Sequence, residues 1–349
     1  MTALGGRRYR LTLTVLAAGL VAAVLVAVAV GAVWISPLTT LRVFAWKLHL
    51  TGPPAGVPLS TEVILLQLRL PRVALAVLVG AGLGVSGMVF QGLFRNPLAD
   101  PAVIGVSSGA ALAAIVVIVL GAGAAAGGLL VSGAAFLGAL ATAFLVYRLA
   151  RIGPAVQVAT LLLAGIAVAA TISSVMSLVM SFSGEQIRSI YFWLLGGLSA
   201  RGWSSVGVVV PFLAVGIVAT VFLVRDLNLV ALGEERASQL GVEVPRFKRR
   251  AIAVGAVLAA AAVSVAGVIG FVGLMTAHVL RLIVGADHRR LLPAVLLGGP
   301  LFLVLADLAA RTVIAPEELP LGAMTALIGA PFFLWLLRRE RGRSAGDVD

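Results

Sequence analysis

The chain of 349 residues has no cysteine, which excludes disulfides, thiol catalysis and thiolate metal sites. It has three histidines, His49, His278 and His288. They stand far apart with no ligand-spaced cluster around them, so no metal site is expected. Charged residues are only 11% of the chain, less than half the roughly 25% of an ordinary soluble protein. Acids are the scarcer sign, 14 against 26 Lys and Arg. The phosphate-loop pattern GxxxxGK[ST] is absent as well, so any ATP chemistry would have to sit on another subunit.

Apolar residues dominate at 61%. Uncharged runs such as Val73–Phe94, Pro101–Tyr147, Ile152–Gly184 and Ala251–Leu280 are too long for a soluble core. A bilayer span needs about 20 apolar residues. The run 101–147 must hold two spans, broken between Gly121 and Gly128, and 251–281 breaks at Gly267, Gly270 or Gly273. Ten spans are predicted, at roughly 11–34, 62–92, 103–120, 128–147, 154–180, 204–224, 250–267, 269–284, 291–313 and 320–338. The fold class is therefore all-α integral membrane, with residues 1–349 as one transmembrane domain. The first run follows Arg7, Arg8 and Arg10, but at 24 residues it exceeds the ~7–15 of a signal-peptide core and reads as a retained span.

A net charge of +12 invites a nucleic-acid reading. Topology explains it better. With the N-terminus inside, 19 of the 26 Lys and Arg fall on the cytoplasmic side and 7 outside. That is the positive-inside bias, and it puts both termini in the cytoplasm. The basic groups are scattered over loops rather than gathered in a patch, so no nucleic-acid partner is expected.

Segment 35–61 reads as the longest external loop, with Pro37, Gly52, Pro53, Pro54, Gly56 and Pro58 as turn formers. Residues 92–101 form an internal loop, since Asn96-Pro97 and Asp100-Pro101 both discourage helix. Segment 185–203 returns outside with Tyr191, Phe192, Trp193 and Trp203 as interface anchors. Segment 338–349 is a basic, then polar, frayed cytoplasmic tail.

Residues 232–250 are the one long charged amphipathic stretch between spans. A polar helix there must meet something in water, which suggests a coupling element for a soluble partner. Gly82-Leu83-Gly84-Val85-Ser86-Gly87 matches GxGxxG, yet it lies inside an apolar span with no preceding strand. Gly80 and Gly84 also make GxxxG, and close helix packing is the better reading. Asp307 is the most deeply placed acid and a candidate for proton coupling. Arg311 follows at i,i+4, and a single such acid favours a structural pair. His278 reads as a hydrogen-bonded helix position and His288 as part of an internal turn. Arg69, Arg72 and Arg311 lie near outer span ends, against the positive-inside trend. They either snorkel or receive carboxylates of an external partner.

Taken together, these residues resemble the permease subunits of type II ABC importers, the iron-siderophore, haem and cobalamin uptake family. The resemblance runs over nearly the whole chain. It rests on Leu68-Arg69-Leu70-Pro71-Arg72 with Gly80 to Gly87 and Gln91, and on Asn96 to Pro101 with Gly105 to Ala110. It rests further on Leu232-Gly233-Glu234-Glu235 with Gln239 to Val242, and on blocks from Gly270 through His278, Arg281, Asp287, Asp307, Arg311 and Glu318 to Pro331. One departure is Ala277, where the family commonly has proline before the histidine.

The resemblance implies a homodimer in the cytoplasmic membrane of a prokaryote, with two cytoplasmic ATPase subunits and an external substrate-binding protein. This chain would bind no cofactor itself; ATP and Mg would belong to the partner subunit. Arg69, Arg72 and Arg311 match positions that dock the binding protein. Residues 226–245 match the coupling helices, with Gly233, Glu234, Glu235, Arg236, Ala237, Leu240 and Gly241 at the ATPase. There Glu234 and Glu235 would face the partner, and Leu232, Leu240 and Val242 would supply apolar contact. The translocation path would use Gly165, Ser173, Ser177 and Thr325, with a gate at Arg151, Gly153 and Pro154. The expected cargo is a ferric siderophore, with haem or a corrinoid as alternatives. An ion-coupled secondary transporter is the distant competitor.

Overall fold

The computed structural model describes residues 5–31, 34–47, 49–52, 56–123, 128–152, 155–199 and 201–346. Their helices are α1 (Gly6–Ala29), α2 (Pro37–Lys47), α3 (Leu59–Val63), α4 (Leu70–Phe94), α5 (Val106–Val119), α6 (Leu129–Ala150) and α7 (Val158–Ser181). The second half adds α8 (Ile187–Leu194), α9 (Trp203–Val230), α10 (Glu234–Gln239), α11 (Val244–Ala266), α12 (Val272–Val284), α13 (His288–Ala310) and α14 (Leu321–Gly346). One small ladder pairs β1 (Arg151–Ile152) antiparallel with β2 (Ala155–Val156).

Seven helical stretches among the described residues are long and apolar enough to cross a bilayer; α5, α12 and the Leu321–Trp335 part of α14 are shorter apolar helices. Together they occupy all ten expected spans. At 1.5 Å per residue, the 14 residues of α5 cover only about 21 Å. The preceding 3₁₀ turn Pro101–Ile104 supplies further depth, and Asp100 caps it by accepting the Ala102 N–H at 2.8 Å.

Helix α4 is the centre of the molecule. Of its most apolar stretch 83% is buried, against 11% for α7 and 17% for α1, so α4 packs on protein while α1 and α7 face outward. Its neighbours are α9, α11, α12 and α13. Glycine makes that crowding possible. A Cβ on Gly80 would come within 2.5 Å of the Gly299 carbonyl oxygen on α13, and one on Gly87 would collide with the Gly273 carbonyl of α12. In lipid, backbones that approach this closely gain packing that bulkier residues would deny. The GxGxxG stretch is therefore a helix-packing seam.

The start of α4 is also special. Pro71 lacks an N–H and cannot continue a regular α ladder. The chain answers with a π-helical segment, Ile64–Arg69, in which the Leu70 N–H reaches back to Leu65 O. Such π turns rotate the following side chains relative to a plain helix. Here the turn falls at the pair Arg69 and Arg72.

Several expectations need correction. Segment 35–61 contains α2 rather than loop alone; its Pro53 and Pro54 lie outside the described residues. Segment 226–245 is not a helical unit of its own: Asp226 to Val230 continue α9, α10 covers Glu234–Gln239, and Val244 opens α11. The tail does not begin frayed: α14 continues through Gly346. His288 is no turn residue but opens α13, 1% exposed. Trp193 is buried at 7% exposure, whereas Tyr191 and Phe192 are 62% and 60% exposed. Amphipathic α8 turns Ile190 and Trp193 inward, so only its other face offers interface anchors. Ala277, in the place of the usual proline, is fully buried in an α12 without internal proline.

Candidate functional site: an arginine cleft and the α10 step

The C-terminal ends of α1 and α13 and the start of α4 meet around a cleft of about 560 Å³ lined by Arg69, Arg72, Arg201, Arg311, Ser199 and Glu318 among others. Each arginine is held differently. Arg69 Nη1 donates to Val28 O at 3.1 Å and also to Ala29 O. Arg311 Nη2 donates to Ala27 O. Those carbonyls belong to the last turn of α1, where no helical N–H remains to bond them. The negative end of the helix dipole lies there too, so two cations are well placed as caps. This explains how Arg69 and Arg311 stay buried, at 7% and 4% exposure.

Arg72 reads two carboxylates at once. Its Nε lies 3.0 and 3.1 Å from the Asp307 oxygens and Nη2 lies 2.9 Å from Oδ1. Its Nη1 lies 2.8 and 2.9 Å from the two Glu318 oxygens. Ser199 Oγ donates to Glu318 Oε2. Burial pushes the Glu318 carboxyl up, but the Arg72 and Ser199 hydrogen bonds and the Arg72 and Arg311 charges outweigh it and hold it below its ordinary 4.5. The i,i+4 pair expected between Asp307 and Arg311 exists at 3.5 Å, but it is the lesser contact; Arg72 is the principal partner of Asp307.

Arg201 was passed over as a docking residue in the sequence. It lines this cleft and two neighbouring ones of about 450 and 520 Å³. Burial lowers its guanidinium from the ordinary value, with no neighbouring charge among the causes. The signal available was its place in an external loop against the positive-inside trend. Four guanidiniums thus share the cleft region with two carboxylates, leaving it net positive.

Between α9 and α11, α10 is a six-residue helix bounded by Gly233 at φ 114° and Gly241 at φ 85°, conformations that a side chain would strain. Ala237 is fully buried and anchors the step. Glu234 pairs with Lys248 of α11 at 2.7 Å. Val242, expected at the partner surface, is turned inward at 6% exposure. Leu232 and Leu240 do stand out, at 56% and 52%. Glu235 and Arg236 are exposed as well.

The path residues divide. Ser173 and Ser177 lie on the exposed face of α7, and Gly165 packs so tightly that a Cβ would strike Val103 O of the 3₁₀ turn. Thr325 is 0% exposed, with Oγ1 donating to Gly322 O at 3.0 Å, so within one chain it lines no open path. Arg151 starts β1 and is exposed. Gly153 and Pro154 lie outside the described residues.

Comparison with known proteins agrees with this architecture. The FecCD transport family matches residues 19–339. A cobalamin import system permease protein, BtuC of Halobacterium salinarum, is 48% identical over 83% of this chain and 77% of its own length. A hemin transport system permease protein, HmuU of Yersinia pestis, is 44% identical over 81% of this chain and 85% of its own. A solved metal-chelate type ABC transporter in an inward-facing conformation superposes with a TM-score of 0.80 at 32% identity, covering 94% of this chain and 98% of that one. With its family match across most of its length and the superposition on a solved transporter, the chain belongs to the FecCD transport family of type II ABC importer permeases.

Proposed function

We propose that two copies of this chain form the membrane path of an ATP-driven importer for a metal tetrapyrrole, cobalamin or haem. The observation that carries the cargo is the identity of 48% and 44% to permeases named for cobalamin and hemin. The ferric siderophore favoured by the sequence is the second reading, supported by the likeness to a metal-chelate type transporter. All three cargoes are bulky chelates that arrive with their metal already held. The chain itself needs no cofactor in this scheme. ATP and Mg act in the two cytoplasmic ATPase subunits, and both termini of the permease face the cytoplasm of a prokaryote.

Docking of the external binding protein falls to the positive outer cleft. Charge complementarity there speeds encounter and sets register. Arg72 and Arg201 are the groups that acidic side chains of the partner would meet. Arg69 and Arg311 act from behind by tying α1 to α4 and α13. At the inner face, Gly233 to Gly241 form the step that the ATPase moves, with Glu235, Arg236 and Leu240 as its contact side and Ala237 as its anchor. The exposed face of α7, with Ser173 and Ser177, turns toward the second copy and lines the path. A wall of small and weakly polar groups lets a large chelate pass without a tight binding site.

The test is uptake into proteoliposomes holding the permease, its ATPase and its binding protein, with labelled cobalamin, haem and a ferric siderophore offered separately and in competition. ATP-dependent uptake of a tetrapyrrole, unaffected by the siderophore, supports the proposal. Uptake of the siderophore alone replaces the cargo. Uptake driven by an ion gradient without ATP overturns the machine.

A further inference from the structure

Away from the outer cleft, the ends of α4, α9, α12 and α13 enclose a cavity of about 230 Å³ whose lining includes Gln91, Gly92, Arg95, Ala231, Arg281 and His288. Among the described residues no carboxylate lines it. Arg281 Nε and Nη2 are buried there without a hydrogen-bond partner. Arg281 as a whole is half-buried, but these two nitrogens are shut off from water with their donors unused, and an anion is the complement that would satisfy them. Arg95 adds a second, exposed cation at the rim.

Acceptors are present too. His288 is 1% exposed, and its Nδ1 sits 2.8 Å from Asn228 Oδ1. That oxygen also accepts the His288 backbone N–H at 2.9 Å, while Asn228 Nδ2 donates to Asp287 at 2.6 Å. The Asn228 oxygen is therefore an acceptor and Nδ1 carries the proton. In the neutral ring Nε2 is left as a lone-pair acceptor. It is buried and without a partner, facing Gly92, where a Cβ would come within 2.7 Å of it. Gln91 Oε1 is a second buried acceptor without a partner, its amide nitrogen being committed to Leu274 O at 3.0 Å. Asp287, the nearest acid in sequence, is occupied by Asn228 and by the Arg289 N–H at 2.9 Å.

We propose that this cavity binds hydrogen phosphate. Its charged oxygens would take the donors of Arg281 and Arg95, and its P–OH would donate to His288 Nε2 or Gln91 Oε1. A fully deprotonated oxyanion such as sulfate satisfies only the arginines and leaves the acceptors facing lone pairs. A phosphodiester headgroup has the same defect. Occupied, the site joins α4, α12 and α13 beside Ala231, the residue that ends α9 and leads into α10. Phosphate is also what an ATPase on that face would release, so the site would stiffen the base of the coupling step. That last consequence rests on the proposed function; binding itself does not.

The experiment titrates purified, delipidated full-length permease with sodium phosphate, sodium sulfate or dimethyl phosphate at constant ionic strength, following melting by tryptophan fluorescence. Phosphate is expected to raise the melting temperature saturably, with the other two at least about tenfold weaker. Arg281→Gln and Arg95→Gln should each weaken phosphate by about tenfold. Arg95 is exposed at the rim, so its variant tests the site even if Arg281→Gln fails to fold. Equal shifts with sulfate that persist in both variants would mean general salt exclusion and would overturn the site. Protection by dimethyl phosphate or phosphatidylglycerol vesicles matching that of phosphate would assign a lipid headgroup and overturn hydrogen phosphate. Absence of any shift also overturns it.

Discussion

Arg72 of α4 and Asp307 of α13, 235 positions apart, meet through three hydrogen bonds of 2.9 to 3.1 Å, with the Asp307 side chain 1% exposed. This fork makes Asp307 a structural partner rather than a free intramembrane acid. Asp307→Asn should take from Arg72 one of its two carboxylates, with Glu318 keeping the other contact, and cost at most the about 3–5 kcal/mol of breaking a buried pair outright. Unfolding in detergent measures it. Unchanged stability with loss of gradient-driven uptake would instead mark Asp307 as a proton carrier.

Reversal of charge in the outer cleft should separate docking from architecture. Arg201→Glu is expected to weaken binding-protein affinity at least about tenfold at low salt, an effect that shrinks as salt rises. Arg72→Glu should weaken it too, but together with a fall in stability, because Asp307 and Glu318 lose their shared cation. Surface-binding measurements at two salt concentrations distinguish these outcomes. Unchanged affinity in Arg201→Glu removes that residue from the docking surface.

At the α10 step, Glu235→Lys and Leu240→Asp should insert normally yet abolish ATP-driven uptake, since both side chains are exposed. Glu234→Lys carries a second effect, because it also breaks the pair with Lys248, whose side chain is only 8% exposed. ATPase co-purification with each variant provides the measurement. Normal transport in Leu240→Asp would place the ATPase contact elsewhere.

The Arg72–Glu318 tie has a defined pH dependence. The folded state holds Glu318 below its ordinary 4.5, so the stabilisation is present above that value and is lost as pH falls through the lowered one. The melting-temperature gap between the native chain and Glu318→Gln should be constant from neutral pH down to about pH 5 and close in stronger acid. A gap that persists in strong acid would show that the carboxylate charge is not what Arg72 uses.

Gly80→Ala tests the central seam. A methyl group has no room against Gly299 and should cost about 1–3 kcal/mol or separate α4 from α13. Gly133, with nothing near its would-be Cβ, is the control at which alanine should be tolerated.

The ten spans were readable from composition because a hydrophobic run long enough for the bilayer is a local property of the chain. The same holds for the breaks at Asn96-Pro97 and Asp100-Pro101 and for the seam reading of Gly80 to Gly87. The charged segment between α9 and α11 was legible in the sequence, but the length of its helix was not. Where α9 ends and α10 begins depends on the positive-φ Gly233 and on burial of Ala237, which the charge pattern does not encode. The arginines of the cleft show the limit most clearly. Their place at span ends followed from counting spans, and the i,i+4 rule supplied the Asp307–Arg311 pair. That Arg69 and Arg311 cap α1, that Arg72 takes Asp307 and Glu318, and that Arg201 shares their cleft were decided only by the packing of α1, α4 and α13. Buried charges seek whatever partner the tertiary structure brings within reach, and sequence spacing reports only those on the same helix.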